Sequence, residues 1–233
     1  MIRRFAVKVV DLLRHEGGAR RVAPSVRWSG YEHLRAALDA GRGALLVTPH
    51  LGNWEFGGSL LTSRGVRLLV LTQDEPGEGF TELRRRARER WGVETFVVGR
   101  DAFGFVEVVK RLQEGSTVAL LVDRPPASSA VSVEFMGREF LASIAPAELA
   151  RATGCAVLPV YVVAEGSGYE ARVLDEVAYD RRALGSREAR RRYAGEVMRA
   201  FEPVIRSYPD QWYHFVPLWN VANAKARSGE DAS

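Results

Sequence analysis

A histidine followed five residues later by a glutamate is the pair of side chains in this sequence best suited to acid–base chemistry. His50 lies two residues past Ala44–Thr48, an apolar run that we predict to be a buried strand. Ligands of open α/β sheets bind outside the carboxyl ends of the strands, so this position favours a functional site. An imidazole there can act as a general base once another group holds its second ring nitrogen.

The geometry between His50 and Glu55 depends on where the next helix begins. In one continuous helix the two side chains would lie about 140° apart, on different faces. We predict instead that Gly52 turns the chain and that Asn53 caps a new helix. Glu55 then lies in the first helical turn, His50 folds back against it, and the carboxylate orients the imidazole. The alternative is a structural histidine that only bonds a neighbour.

Other catalytic constellations are missing from the sequence. The four histidines are scattered, so no pair has the spacing of a zinc-binding helix. No Gly-x-Ser-x-Gly elbow supplies a serine nucleophile, and no P-loop or dinucleotide fingerprint follows a predicted strand. One cysteine, Cys155, builds no disulfide framework and fits a reducing compartment. We therefore expect no metal site and no nucleotide-redox enzyme.

Alternating strand and helix patterns are the elements that must position His50. Strands are predicted at 44–48, 66–72, 94–98, 117–122 and 157–163, with an edge strand at 169–177. Helices are predicted at 81–91, 103–114, 146–153 and 187–205. These repeated units predict a single α/β domain with a mostly parallel central sheet and helices on both faces. We assign residues 1–220 to it and expect 221–233 to be a flexible tail.

The basic residues are almost all arginine. Lys+Arg number 33 against 29 Asp+Glu, a net charge of +4, and only Lys8, Lys110 and Lys225 are lysines. Arginine binds phosphate and carboxylate groups bidentately, so the outer face of helix 81–91 and the run 187–192 suit anionic partners. A GC-rich genome would produce the same bias. An arginine-rich module that binds nucleic acid or an anionic surface without catalysis is the alternative function.

The spacing of apolar and basic residues in 1–14 predicts a basic amphipathic helix. Phe5, Val9, Leu12 and Leu13 share one face, and Arg3, Arg4 and Lys8 lie largely elsewhere. The uncharged stretches are far shorter than the ~20 residues of a spanning helix. Two interpretations remain, a helix docked on the core and an interfacial helix whose basic side meets anionic lipid.

The stretch His50-Leu-Gly-Asn-Trp-Glu55 resembles the His-x4-Asp/Glu motif of the glycerolipid acyltransferase superfamily. Its form is similar to the bacterial branch of lipid A late acyltransferases and phosphatidylinositol mannoside acyltransferases. Further blocks resemble that branch in the same order, at 92–100, 112–124, 133–137, 147–154 with Pro159, and 208–215 with its Pro-x-Gln-Trp segment. One block departs from the pattern, because Asp123-Arg124-Pro125-Pro126 replaces the usual Asp-Arg-Asp or Asp-Gln-Asp.

The resemblance implies an O-acyltransferase that moves a fatty acyl chain from acyl-CoA or an acyl carrier protein to a hydroxyl of a polar lipid or glycolipid. It implies His50 as general base, Glu55 as its orienter, no covalent acyl-enzyme and no bound cofactor. Candidate substrate-binding or oxyanion residues are Arg124, held by Asp123, then Arg100, Arg88, Gly52 and Asn53, with Trp54 and Phe56 in the acyl groove.

Further expectations concern partners and location. We expect peripheral association with the anionic inner face of the cytoplasmic membrane and no nucleic-acid partner. A thioesterase, which would pass the acyl chain to water, is a second alternative.

Overall fold

The computed structural model describes residues 1–16, 25–73, 78–98 and 104–215. Within these ranges the strands are β1 (Val26–Ser29), β2 (Ala44–Thr48), β3 (Leu68–Thr72), β4 (Val93–Val97), β5 (Thr117–Leu121), β6 (Ala130–Phe135), β7 (Arg138–Ser143), β8 (Ala156–Glu165) and β9 (Gly168–Val173). The helices are α1 (Ile2–Glu16), α2 (Tyr31–Asp39), α3 (Trp54–Thr62), α4 (Glu78–Glu89), α5 (Gly104–Gln113), α6 (Ala145–Thr153), α7 (Arg187–Arg199) and α8 (Glu202–Ser207). The expected tail at 221–233 lies outside the described residues.

Seven strands form one sheet in the order β1-β9-β8-β2-β5-β3-β4. Every neighbouring pair is parallel except β8 and β9, which are antiparallel. β6 and β7 form a separate antiparallel hairpin. The predicted single α/β domain with a mostly parallel sheet is confirmed.

Both faces of the central strand β2 are buried, which explains its continuous apolar sequence. Leu45 and Val47 pack with residues of α5, α6 and α7 on one face. Ala44 and Leu46 pack with residues of α2 and α3 on the other. The helices therefore cover the sheet on both sides, as the alternating pattern predicts.

The register between β2 and β5 determines which residues meet at the carboxyl edge of the sheet. Thr48 of β2 lies beside Leu121 of β5. Because the strands are parallel, the residues two positions further along each chain, His50 and Asp123, leave the sheet next to each other.

Several features differ from the sequence prediction, among them α2 (Tyr31–Asp39), which was not predicted. The predicted edge strand, β9, is second in the sheet, because the short strand β1 pairs along its outer side. The β6–β7 hairpin was not predicted. The long helix expected at 187–205 is two helices, since Pro203 lies in the first turn of α8, where its missing N–H is tolerated.

Candidate active site

His50 is held by Asp123, which lies two residues past the end of the neighbouring strand β5. Its Nδ1 lies 2.7 Å from Asp123 Oδ1, and its backbone N–H donates to Asp123 Oδ2 at 2.9 Å. The His50 side chain keeps 16% exposure, whereas that of Asp123 is fully buried. An ionised carboxylate can only accept hydrogen bonds, so Nδ1 carries the proton and Nε2 keeps the lone pair that a general base needs.

Asp123 is also bonded by the segment 208–215. Trp212 Nε1 and His214 Nε2 donate to Asp123 Oδ2 at 2.9 and 2.8 Å. Burial by itself would raise the pKa of the Asp123 carboxyl. The hydrogen bonds from His214 and His50, and the charges those rings can carry, instead hold this pKa well below its usual range. Asp123 therefore stays ionised and keeps the imidazole of His50 in one tautomer.

The turn after His50 requires a glycine. Gly52 has φ of 58°, and a Cβ built on it would lie 2.0 Å from the carbonyl oxygen of Val162. Its N–H donates to the Gln211 carbonyl, and the N–H of Asn53 donates to the Val162 carbonyl. The two backbone N–H groups that we expected to stabilise an oxyanion are therefore both engaged by backbone carbonyls in this structure. Asn53 does precede α3, but its side chain makes no capping hydrogen bond.

Glu55 does not contact His50, contrary to the expected pairing. Its carboxylate bonds Arg88 Nη2 at 2.6 Å and Arg84 Nη2 at 2.9 Å. These arginines lie one turn apart on α4 and were predicted on its outer face, yet their side chains are 14% exposed or less. Burial would raise the pKa of Glu55, but the charge and hydrogen bonds of Arg88, with the charge of Arg84, lower it to about 2.

An apolar pocket opens beside this ion cluster. It lies between α3, α4 and the sheet face that carries Leu46 and Val70, and its empty space, including the part open to solvent, is about 910 Å³. Trp54 lines it, and so do Gly57 and Gly58, whose missing side chains leave room. Phe56 does not line it, because its ring is 3% exposed and packs in a small core cluster.

The remaining predicted arginines lie in different places. Arg124 directly follows Asp123 and is exposed. Its guanidinium has no carboxylate partner in the described part of the chain. Arg100 lies outside the described residues. Among those described, no group of three His, Cys, Asp or Glu side chains is arranged to hold a metal ion.

Helix α1 crosses the carboxyl edge of the sheet above the site. Phe5 packs edge-to-face on Tyr213, with ring centroids 5.2 Å apart, and Leu12 lines the apolar pocket. Lys8, predicted away from the buried side, faces inward and is 6% exposed. Its Nζ lies 2.8 Å from the centroid of the Trp54 ring. The N-terminal helix is therefore docked on the candidate site.

Comparison with known proteins identifies the family. Residues 5–221 match the family model described as "Bacterial lipid A biosynthesis acyltransferase". The chain belongs to this family. It is 32% identical over 192 residues to a phosphatidylinositol mannoside acyltransferase of Mycolicibacterium smegmatis, covering 81% of this chain and 60% of that protein. It is 30% identical over 205 residues to one of Mycobacterium tuberculosis, covering 86% and 62%. The chain thus spans about three fifths of these relatives.

Several site residues were missed from the sequence. Trp212 and His214 lie within the block 208–215, which was recognised by its Pro-x-Gln-Trp segment but given no role. Arg84 was assigned to solvent and Lys8 to the basic side of α1. A signal existed for Trp212 and His214, since an indole and an imidazole within a family block are both able to donate a hydrogen bond to a buried carboxylate.

Proposed function

We propose that this protein is an O-acyltransferase that moves a fatty acyl chain from a thioester donor to a hydroxyl of a polar lipid or glycolipid. The observation that carries the proposal is the hydrogen-bonded His50–Asp123 pair beside Trp54, whose ring lies 5.1 Å from that of His50 and lines an apolar pocket. Family membership supports the reaction class. Phosphatidylinositol mannoside acyltransferases among the relatives support a glycolipid acceptor.

His50 acts as the general base in this proposal. Its Nε2 takes the proton of the acceptor hydroxyl while the hydroxyl oxygen attacks the thioester carbonyl carbon. The new C–O bond leaves the carbonyl electrons on an oxyanion. Collapse of this intermediate breaks the C–S bond, and the departing thiolate takes the proton from His50. Asp123 replaces Glu55 as the orienting acid, because it fixes Nδ1–H and stabilises the imidazolium that forms.

The surroundings of His50 suit the two other requirements of acyl transfer. Arg124 is our proposed oxyanion donor, since it follows Asp123 in the chain and no described carboxylate holds it. Arg88 is less suitable because its guanidinium already binds Glu55. The pocket beside Trp54 would take the acyl chain, because its lining is mostly apolar, as is typical of ligand pockets.

An acyl-transfer assay on matched histidine variants tests the proposal. The protein is incubated with labelled acyl-CoA or acyl carrier protein and a panel of lipid acceptors, and products are read by mass spectrometry. We expect His50→Ala to lower transfer roughly 10²–10⁴-fold. His33→Ala is the matched control. It removes the imidazole of a histidine on α2 that pairs with Asp175 at 3.5 Å, and it should leave the rate of acyl transfer unchanged.

Two outcomes of this assay would contradict the proposal. Thioester hydrolysis without a chain on any acceptor indicates a thioesterase. If folded His50→Ala protein transfers acyl chains at the wild-type rate, His50 is not the general base and the proposed mechanism is refuted.

We further propose that the protein binds the inner face of the cytoplasmic membrane peripherally, through the outer face of α1. Among the described helices none is long and apolar enough to cross a bilayer. Ile2, Val10 and Leu13 are 77%, 44% and 59% exposed on the side of α1 opposite Lys8. Exposed Arg3 and Arg14 flank this stripe. An apolar stripe bordered by arginines is typical of interfacial helices on anionic lipid.

Co-sedimentation with phosphatidylglycerol-containing vesicles over a salt series tests the membrane proposal. We expect binding at low salt that weakens as salt screens the arginines, and weaker binding of Leu13→Glu. Ser63→Glu, which adds the same charge at the far end of α3, is the control. No binding at low salt, or full retention at high salt, would count against the proposal.

The geometry disfavours a non-catalytic arginine-rich binding module. Such a module needs its two arginine runs on one continuous face, but α4 and α7 pack on opposite faces of the sheet. Many of these arginines are also paired, as Arg85 with Glu82 and Arg191 with Glu188. Tight nucleic-acid binding by folded protein that turns over no thioester would restore this alternative.

A further inference from the structure

Lys8 is a buried cation beside the candidate site that the proposed reaction does not use. It is 6% exposed, yet no carboxylate and no hydrogen-bond acceptor among the described residues contacts its ammonium. Its contacts are aromatic rings, that of Trp54 at 2.8 Å and those of Phe5 and Tyr213 at 5.5 and 5.7 Å. Lysine is almost never buried without a partner, because desolvating an ammonium is expensive. Three N–H donors therefore remain available at this point.

The groups around Lys8 leave an excess of positive charge. Burial lowers the pKa of Lys8 to about 7, Glu55 opposes the shift, and Arg84 and Arg124 reinforce it. Glu55 is already shared by two guanidinium groups. Two other carboxylates near α1 are engaged as well, Asp11 by Tyr169 and Asp210 by Arg4. Cations thus outnumber the free acids, and the cluster is suited to an anion.

Lys8 also lies close to His50 and to the apolar pocket. The His50 ring centroid is 5.1 Å from that of Trp54, whose ring Lys8 faces, so the ammonium is within about 8 Å of the imidazole. Leu12, one helical turn after Lys8, lines the apolar pocket. The ammonium therefore lies between two residues that line the pocket, Leu12 and Trp54, and close to the imidazole.

We propose that the Lys8 ammonium binds a phosphate group of a substrate. The inference rests on the proposed function, whose substrate classes both supply this chemistry. Coenzyme A and acyl carrier proteins carry phosphate on the pantetheine arm, and a phosphoglycolipid acceptor carries a phosphodiester. An ammonium is a compact charge with three rotatable donors, which suits phosphate oxygens. In the free protein the face of Trp54 holds the cation in place.

The kinetic test replaces Lys8 by the similarly long but uncharged methionine. For Lys8→Met we expect KM to rise roughly tenfold or more for the substrate whose phosphate is bound, with kcat little changed. Donor arms compare acyl-CoA with the phosphate-free acyl-N-acetylcysteamine thioester. Acceptor arms compare a phosphoglycolipid with the same glycolipid lacking phosphate. Lys110→Met, on the exposed side of α5, is the matched control.

The arms identify the phosphate and separate this proposal from the proposed function. A KM effect confined to acyl-CoA assigns the donor, and one confined to the phosphoglycolipid assigns the acceptor. Unchanged KM in all arms, or a fall in kcat alone, overturns the proposal while leaving acyl transfer intact. Absence of transfer by the wild-type protein would instead refute the proposed function.

Two measurements keep the test independent of folding. Lys8→Met should unfold at the same or a higher temperature, because it removes an unpaired buried charge. In the wild-type protein the three lysines give three Cε signals by ¹³C NMR after specific labelling. Coenzyme A or glycerophosphoinositol should raise the pKa of the Lys8 signal alone. A Lys8 titration that neither probe changes overturns the proposal.

Discussion

The Asp123→Asn variant keeps the size of the side chain but removes its charge and turns one acceptor oxygen into an amide donor. If the amide nitrogen takes the place of Oδ2, it opposes three donors, from the His50 backbone, Trp212 and His214. If it takes the place of Oδ1, it opposes one, the Nδ1–H of His50. The second orientation loses fewer hydrogen bonds, so we expect the variant to adopt it.

That orientation has a specific catalytic consequence. An amide N–H can bond His50 Nδ1 only if Nδ1 gives up its proton, which moves the proton to Nε2 and removes the lone pair of the base. In Ser-His-Asp hydrolases the same exchange lowers kcat about 10⁴-fold through the wrong tautomer. We expect a loss of that order here, which corresponds to about 5 kcal/mol of activation free energy.

Acyl transfer and unfolding of Asp123→Asn are measured together. Activity is read by mass spectrometry of the acylated lipid, and thermal unfolding checks that the variant folds. Asp180→Asn, an exposed aspartate that bonds the backbone N–H of Arg182, is the control and should be fully active. A folded Asp123→Asn protein that keeps a tenth or more of the wild-type rate would refute the assignment of Asp123 as the orienting acid.

Three other variants follow from the site geometry. Glu55→Gln leaves two buried guanidinium groups without their carboxylate and should destabilise the fold by about 3–5 kcal/mol, with less effect on rate than Asp123→Asn. The pKa of Glu55 in the folded protein is about 2. Its ionised carboxylate therefore contributes fully to the free energy of unfolding above about pH 4.3, and this contribution is lost as the pH falls towards 2. The difference in unfolding temperature between Glu55→Gln and the wild type should accordingly shrink below pH 4. Gly52→Ala should prevent stable folding in thermal scans, because its Cβ would meet the Val162 carbonyl oxygen at 2.0 Å. Gly41→Ala is the control, since Gly41 has φ of 68° but open space around it, and it should lower the free energy of unfolding by only about 1–2 kcal/mol. Gly58→Val narrows the apolar pocket and should shift donor preference to shorter chains in competition assays, at about 0.8 kcal/mol for each methylene excluded.

The fold was predictable where the sequence repeats one simple pattern. β2 reads as a buried strand because both of its faces are covered, and α5 and α6 have clear apolar faces. The β6–β7 hairpin was less visible, because it lies outside the βα repeat. The split between α7 and α8 had a signal in Pro203, but the helical pattern on either side of it continues.

The site was half predictable for a related reason. His50 and Asp123 were both recognised, since each follows an apolar run, but their pairing depends on β2 and β5 being neighbours. From sequence position alone, Glu55 is the better candidate for the acid that orients His50, because it is five residues away whereas Asp123 is 73 residues away. Strand order is a property of the whole sheet, and no local pattern encodes it.

The hydrogen bonds from Trp212 and His214 to Asp123 span 89 and 91 positions of the chain. During protein synthesis the residues of the site are therefore made at different times. Ribosomes add about 5–20 residues per second, so Asp123 waits roughly 4–18 s for these two donors to be made. Throughout this interval the emerging polypeptide carries His50 and its aspartate without the indole and imidazole that complete the carboxylate's surroundings. The hydrogen bonds of the Asp123 carboxylate are thus incomplete until residues 208–215 are translated, and under the proposed mechanism we expect ribosome-bound intermediates stalled before residue 212 to transfer no acyl chain.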